Sequence, residues 1–269
     1  MNRPAKGYNP AFGRENSPFF TLYTEIDGEK DHRLLEGPVP FFLYEGAWGA
    51  VASNHGLPRF ENVSFDAAYP FGQVNLSTPQ IPLKVKIKAF NPLIPGDVDN
   101  SSIPLAVIDF EITNTSGGEI KFSVCGTMQN FIGEDGAEGR SKENLNTFKS
   151  NDGFSGIHFT SQGVDEKSDQ WGEMALVTTH TTDLSYRTAW KPQHWGSSIL
   201  DFWDDMIVDG RLENREDAGS DKPIASLAAT DVIPAGETKT VRFLLSWYYP
   251  NRTAWASETM SNYYSTKYK

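Results

Sequence analysis

Asp201, Asp204 and Asp205 stand close together in the segment "GSSILDFWDDMIVDGR". Paired carboxylates are what glycosidases place on either side of a scissile bond. The spacing around them argues for a different role. Ile199, Phe202, Trp203, Met206 and Ile207 recur at helical intervals, which makes one face of a helix apolar and turns the three aspartates toward solvent or an interface. Acidic residues early in a helix also suit its dipole. His32, His55, His158, His180 and His194 show none of the paired spacings that metal sites use, so no metal or other cofactor is expected. Cys125 is the single cysteine, which excludes an internal disulfide. In "GEIKFSVCGTMQN" it falls opposite Ile120, Phe122, Val124 and Met128 and beside Lys121 and Ser123, with no neighbouring base to make a thiolate. "GFSGI" brings its second glycine one place too early for a nucleophile elbow. The remaining chemistry is aromatic. Trp190 and Trp195, in "AWKPQHWGS", are candidates for stacking on a sugar ring, whereas Trp203 lies on the apolar stripe and is assigned to packing.

The elements that would position these groups are mostly strands. In "IPLKVKIKAF", Ile81, Leu83, Val85, Ile87 and Ala89 alternate with Lys84, Lys86 and Lys88, giving one dry and one wet face. "IPLAVIDFEITN" points Ala106, Ile108, Phe110 and Ile112 inward, and its first half is apolar on both faces, as expected mid-sheet. With "EIKFSVCGTMQ" after the turn "NTSGG", these read as three consecutive antiparallel strands. Further strands are expected in "SPFFTLYT", "VPFFLYE", "FGQVNLS", "GIHFTS", "EMALVTT", "LSYRTAW", "IASLAAT" and "TVRFLLSWYY". "IPAGET" between the last two reads as a turn joining neighbours. "EDGAEGRSKENLNTFKSNDG" reads as a surface loop. Ser198 and Asp201 form a capping box for one helix from about Ser198 to Val208, closed by Gly210. The fold class is all-β: a two-sheet antiparallel sandwich with one short amphipathic helix.

The chain has 269 residues, enough for one large all-β domain, and no internal repeat or linker divides it. A formal net charge of −11 argues against nucleic acid, whose affinity comes from Lys and Arg, and against anionic membrane surfaces. No apolar run approaches the length of a membrane span. Asn-x-Ser/Thr tripeptides at Asn62, Asn75, Asn100, Asn114 and Asn251 arise by chance in chains this rich in Asn and Ser, and they carry no weight.

Several segments together carry a resemblance: "NRPAKG", "FFTLY" followed by "RLLEG", "YPFGQVNL", "PLKVKIKAFNPLIPGDVDNSSIPLAVIDFEITNT", "MQNFIG", "WGEMALVT", "FWDDMIVDGRLEN" and "FLLSWYYPNR". In this order they resemble the N-terminal domain of glycoside hydrolase family 116, the β-glucosidase and non-lysosomal glucosylceramidase family. The resemblance implies a supersandwich-like domain, placed at residues 1–250 with its front strand missing. Residues 251–269 are then the start of a linker toward an absent (α/α)6 catalytic domain. It also implies retaining hydrolysis of β-glucosides by carboxylates of that second domain. No residue here matches a catalytic motif, so the chain alone is expected to be inactive and the helical domain is its expected partner. Asp204, Asp205, Tyr249, Asn251, Arg252, Trp255, Tyr263 and Tyr264 are the candidate interdomain residues, and Tyr268 joins them in an aromatic C-terminal patch. The loop "NPLIPGDVDNSSIP" is expected to be a sandwich corner, with Asp99, Asn100, Ser101 and Ser102 bonding back to its own amides. The cytoplasm is the favoured compartment, and because the front reads as shortened a lost signal peptide stays open. The competing reading is a free-standing, lectin-like carbohydrate-binding sandwich.

Overall fold

A computed structural model describes residues 18–39, 57–136, 138–192, 198–215, 219–253 and 259–268. In chain order its strands are β1 (Phe19–Ile26), β2 (Glu29–Leu34), β3 (Asn62–Ala68), β4 (Phe71–Ser77), β5 (Leu83–Phe90), β6 (Leu105–Asn114), β7 (Ile120–Gln129), β8 (Asn144–Asn151), β9 (Phe154–Ser161), β10 (Glu173–Thr178), β11 (Leu184–Arg187), β12 (Ile224–Ile233), β13 (Thr238–Tyr248), β14 (Asn251–Thr253) and β15 (Thr259–Ser261). Two helices join them, α1 (Val98–Ser101) and α2 (Ser198–Asp209). An eight-stranded sheet runs β3-β4-β5-β6-β13-β10-β9-β8, a five-stranded sheet runs β11-β12-β7-β1-β2, and β14 pairs only with β15.

Three layers result. The two large sheets enclose the main core, where Val85, Ile108, Phe110 and Ile112 from one sheet meet Leu22, Phe122, Val124 and Leu227 from the other. The outer face of the five-stranded sheet is covered by α2, which packs Phe202 and Met206 against Phe19, Tyr23, Cys125 and Ala228. This explains why β7 is buried along almost its whole length, with Ile120, Phe122 and Val124 in one core and Cys125 in the other. β6 lies between β5 and β13, as its doubly apolar first half implies, and Val107 is buried on the outer face.

Two expected hairpins are arches between sheets. β6 pairs with β5 and β13, while β7 pairs with β1 and β12, so "NTSGG" carries the chain across the sandwich. "IPAGET" does the same between β12 and β13. Alternation gives the faces of a strand but not its neighbours. The arches are clasped together by Asn114, which is buried. Its Nδ2 donates to the carbonyls of Gly118 at 2.7 Å, Ile233 at 3.0 Å and Pro234 at 3.2 Å, and its Oδ1 accepts from the Ser116 amide at 2.8 Å.

The polar stretch expected to be a loop contains β8. Its inward side chains include Asn144 and Asn146, which join Asn130 in a buried amide network. Asn144 Nδ2 donates to Asn130 Oδ1 at 3.1 Å, and Asn130 Nδ2 donates to Asn146 Oδ1 at 3.1 Å. β2 and β3, both edge strands, were not among the expected strands: β2 is polar, whereas β3 alternates Val63, Phe65 and Ala67 with Ser64 and Asp66. The expected strand "VPFFLYE" lies, beyond Val39, outside the described residues.

Candidate functional site

α2 is placed by its ends as much as by its apolar stripe. Gly210 closes it at φ +78°, where its amide donates to the Met206 carbonyl at 2.9 Å. A Cβ there would lie 2.4 Å from Tyr23 Cδ1, so glycine is required by space as well as by backbone conformation. Lys30 donates to the Val208 carbonyl at 2.5 Å and Lys121 to the Asp209 carbonyl at 2.8 Å, which satisfies the helix C-terminus with cations.

The aspartates of α2 divide. Asp204 is exposed, as expected. Asp201 and Asp205 instead turn onto Arg187 of β11, whose side chain is fully buried. Nη1 donates to Asp201 Oδ2 at 2.6 Å, Nη2 to Asp205 Oδ2 at 2.7 Å, and Nε to the Glu213 carbonyl at 3.0 Å. The helical wheel missed this because it shows which way a side chain leaves its helix, not a guanidinium waiting on the neighbouring strand. Burial works to raise the Asp201 carboxyl, but Arg187 and Arg215 outweigh it and hold it below the usual carboxylate range. The arrangement is an ion-pair anchor between sheet, helix and the chain that follows.

Trp190 is not a sugar platform. It is buried, its Nε1 donates to Ser226 Oγ at 2.8 Å, and its ring stacks on Phe202 at 4.8 Å. Trp195 lies outside the described residues. Trp203 is half-buried and stacks on His32 at 3.9 Å. His32 has both ring nitrogens buried without a hydrogen-bond partner, and burial lowers its pKa to about 3. The Cys125 thiol is buried and is pushed up to about 12 by the loss of water. Among the described residues there is no cluster of three or more His, Cys, Asp or Glu placed to hold a metal ion, and no helix long and apolar enough to cross a membrane.

The C-terminal candidates gather at one end of the eight-stranded sheet. Tyr264 Oη donates to the Tyr249 carbonyl at 2.9 Å and accepts from the Tyr249 amide at 3.0 Å, while Asn262 Nδ2 donates to the same carbonyl at 2.7 Å. Asn251 Nδ2 reaches the carbonyls of Glu166 at 2.7 Å and Ser168 at 2.9 Å, and Thr253 is bound by Asp169. Arg252 is exposed, and Trp255 lies outside the described residues. Tyr263 donates to Asp99 in the proline-rich loop, and Lys267 forms an ion pair with the same carboxylate. These two partners hold the Asp99 carboxyl below its ordinary range. The loop also bonds to itself as expected, with Asp97 accepting from the Asn100 amide at 3.0 Å and Ser101 Oγ donating to the Ile94 carbonyl at 2.9 Å. Around this clasp Ile94 (51%), Val98 (60%), Met260 (51%), Tyr263 (48%) and Tyr268 (44%) are exposed. Asp204 and Asp205 belong to the helical layer on the far side of the sandwich, so the candidate interface residues do not form one cluster.

The outer face of the eight-stranded sheet carries a second feature at the opposite ends of its strands. A groove of about 560 Å3 lies over β3, β4, β5 and the neighbouring ends of β6 and β13. Its lining mixes polar side chains, among them Asn62, Asn75, Ser77, Lys84, Lys86 and Thr113, with the apolar Val63, Leu76 and Val85. None of these belonged to the sites expected from sequence. The signal was the lysine alternation of β5, which marks a wet face without saying what the adjacent strands bring to it.

Comparison with known proteins adds the following. The model of the N-terminal domain of glycosyl-hydrolase family 116, described as β-glucosidase 2, matches residues 13–269. Among solved structures, a polysaccharide lyase aligns with a TM-score of 0.43 at 11% identity, covering 87% of this chain and 26% of the lyase. A kojibiose phosphorylase from the human microbiome, itself a provisional assignment, aligns with a TM-score of 0.37 at 12% identity, covering 81% of this chain and 23% of the phosphorylase. A galactose mutarotase related enzyme from Lactobacillus acidophilus gives 0.39 at 8% identity, covering 84% and 77% of the two chains. The chain thus spans about a quarter of the length of the first two structures.

Proposed function

The chain belongs to the N-terminal-domain family of glycoside hydrolase family 116, and from this premise we propose that it is a non-catalytic β-sandwich that supports a helical catalytic domain of a retaining β-glucosidase or glucosylceramidase-like enzyme. In this reading residues 1–250 form the sandwich and 251–269 lead toward the helical domain. β-Glucosides are met only through that domain.

The observation that carries the proposal is the apolar surface around the C-terminal clasp. Ile94 and Val98 in the proline-rich loop and Met260 and Tyr263 in the C-terminal segment expose large side chains next to a network of hydrogen bonds. A hydrogen-bonded frame with exposed apolar residues has the composition of a docking surface. Asp99, bonded to both Tyr263 and Lys267, ties the C-terminal segment to the proline-rich loop in this reading. Arg187, Asp201 and Asp205 support the same reading, since their pairing with one another leaves them engaged in holding α2 rather than arranged as a catalytic pair.

The proposal is tested by assaying the purified chain on aryl β-glucosides. It should give no turnover above buffer. Turnover abolished by changing one Asp or Glu of this chain would overturn it.

A further inference from the structure

The groove on the outer face of the eight-stranded sheet is built from two matching tripeptides. Asn62-Val63-Ser64 in β3 and Asn75-Leu76-Ser77 in β4 run antiparallel, with Asn62 opposite Ser77 and Ser64 opposite Asn75. Alternate residues of a strand share a face, so two amides and two hydroxyls meet in a square. β5 extends both rows: Lys84 stands opposite Ser77 and Lys86 opposite Asn75. Burial of Leu83 and Val85 on the core side fixes the lysines on the outer side.

Part of this set is already committed and part is not. Asn75 is held firmly: its Nδ2 donates to Ser64 Oγ at 3.1 Å and Asp66 Oδ2 at 3.0 Å, and its Oδ1 accepts from Gln73 at 3.2 Å. Thr113 and Thr238 share a hydrogen bond at 2.8 Å. Of the neighbouring carboxylates, Glu111, which lines the groove opposite Lys86, is paired with Lys88, and Asp66 accepts from Asn75. The side chains of Asn62, Ser77, Lys84 and Lys86 have no protein partner among the described residues. Two uncommitted ammonium groups beside a fixed amide-and-hydroxyl platform are a selective feature in a chain of net charge −11. The groove is of a size to take one or two sugar rings. It lies at the ends of β3, β4 and β5 away from the proline-rich loop, so docking at the C-terminal clasp leaves it open.

We propose that this groove binds an anionic saccharide: ring hydroxyls meet Asn62, Asn75 and Ser77, and a carboxylate or sulfate substituent meets Lys84 and Lys86. The amides and hydroxyls distinguish a sugar from a bare anion, because a bare anion has no use for acceptors such as Asn62 Oδ1. The lysines distinguish an acidic sugar from a neutral one by charge-assisted hydrogen bonds. The site is separate from the helical domain's chemistry and does not depend on it.

Isothermal titration of the 269-residue chain with a glucuronate-containing disaccharide, glucose 6-sulfate, cellobiose and sodium sulfate tests the proposal. At least one of the two acidic sugars should bind, at least about tenfold more tightly than cellobiose or sodium sulfate, and with affinity that falls as salt is raised. Preference between uronate and sulfate ester identifies the source of the charge. Lys86→Ala should weaken binding about tenfold, as should Asn62→Ala, with melting curves little changed, since neither side chain has a hydrogen-bond partner to lose. Failure of both acidic sugars to bind, equal binding of cellobiose or of sulfate alone, or binding indifferent to both variants would overturn it.

Discussion

Arg187 of β11 donates to Asp205 of α2 at 2.7 Å from a side chain with no exposed surface. The strand–helix contact is therefore electrostatic at its centre and apolar around it. Asp205 has a second duty, accepting from the Glu213 amide at 2.9 Å. Asp205→Ala should cost about 3 kcal/mol, near the lower end for breaking a buried pair, because Asp201 still faces the guanidinium. Urea unfolding followed by tryptophan fluorescence measures it. A change of a few tenths of a kcal/mol would mean the pair is solvated and carries little.

His32 makes stability depend on acid. Its folded-state pKa, about 3, lies below the unfolded value of about 6.5. The unfolded chain therefore binds a proton through this window while the folded chain does not. Stability should fall as pH drops from about 6.5 toward 3, by about 1.4 kcal/mol per pH unit from this group. His32→Leu removes a buried imidazole with two unpartnered nitrogens and should be more stable than the parent, with a gap that widens as pH falls. Parallel stability curves for the two proteins between pH 6.5 and 4 would show that His32 titrates normally.

Asn114 should behave as a joint between the arches. Its two amide hydrogens, shared among three carbonyls, link the β6–β7 connection to the β12–β13 connection. Asn114→Ala removes a donor to the buried Ile233 carbonyl, while the Gly118 and Pro234 carbonyls keep Ser116 Oγ and the Glu237 amide, and should cost about 1–3 kcal/mol. Hydrogen exchange should then rise in both arches together. Loosening of only the nearer arch would contradict the clasp.

Sequence and structure agree wherever a strand or helix buries one clean apolar face. β5, β6, β7 and α2 are read at nearly their observed limits, because alternation and helical spacing are local signals. The topology was not legible in the same way. Whether "NTSGG" folds a strand back or sends it across the sandwich depends on β1 and β12 competing for β7, which no window of the sequence contains. β8 was hidden because Asn144 and Asn146 replace apolar residues on its inner side. β2 was announced by Asp27-Gly28, a hairpin dipeptide whose φ angles of 51° and 86° are both positive, but the polar edge strand after it gave no hydrophobic pattern. At the candidate sites, Asp99's link to Tyr263 spans 164 positions and Arg187's to Asp205 spans 18, so neither is visible as a motif. The lysine face of β5 was visible, whereas the Asn-x-Ser square beside it required the register of β3 on β4.

The central claim is that the surface around the clasp receives a helical domain. Ile94 and Val98 are 51% and 60% exposed, so Ile94→Asp with Val98→Asp should leave the isolated fold intact. The decisive measurement is sedimentation velocity of this chain mixed with a separately expressed helical domain of a family-116 enzyme. The account predicts a 1:1 complex that the double variant weakens at least tenfold while its own melting curve is unchanged. No complex with the parent chain, or a complex indifferent to both substitutions, would contradict it.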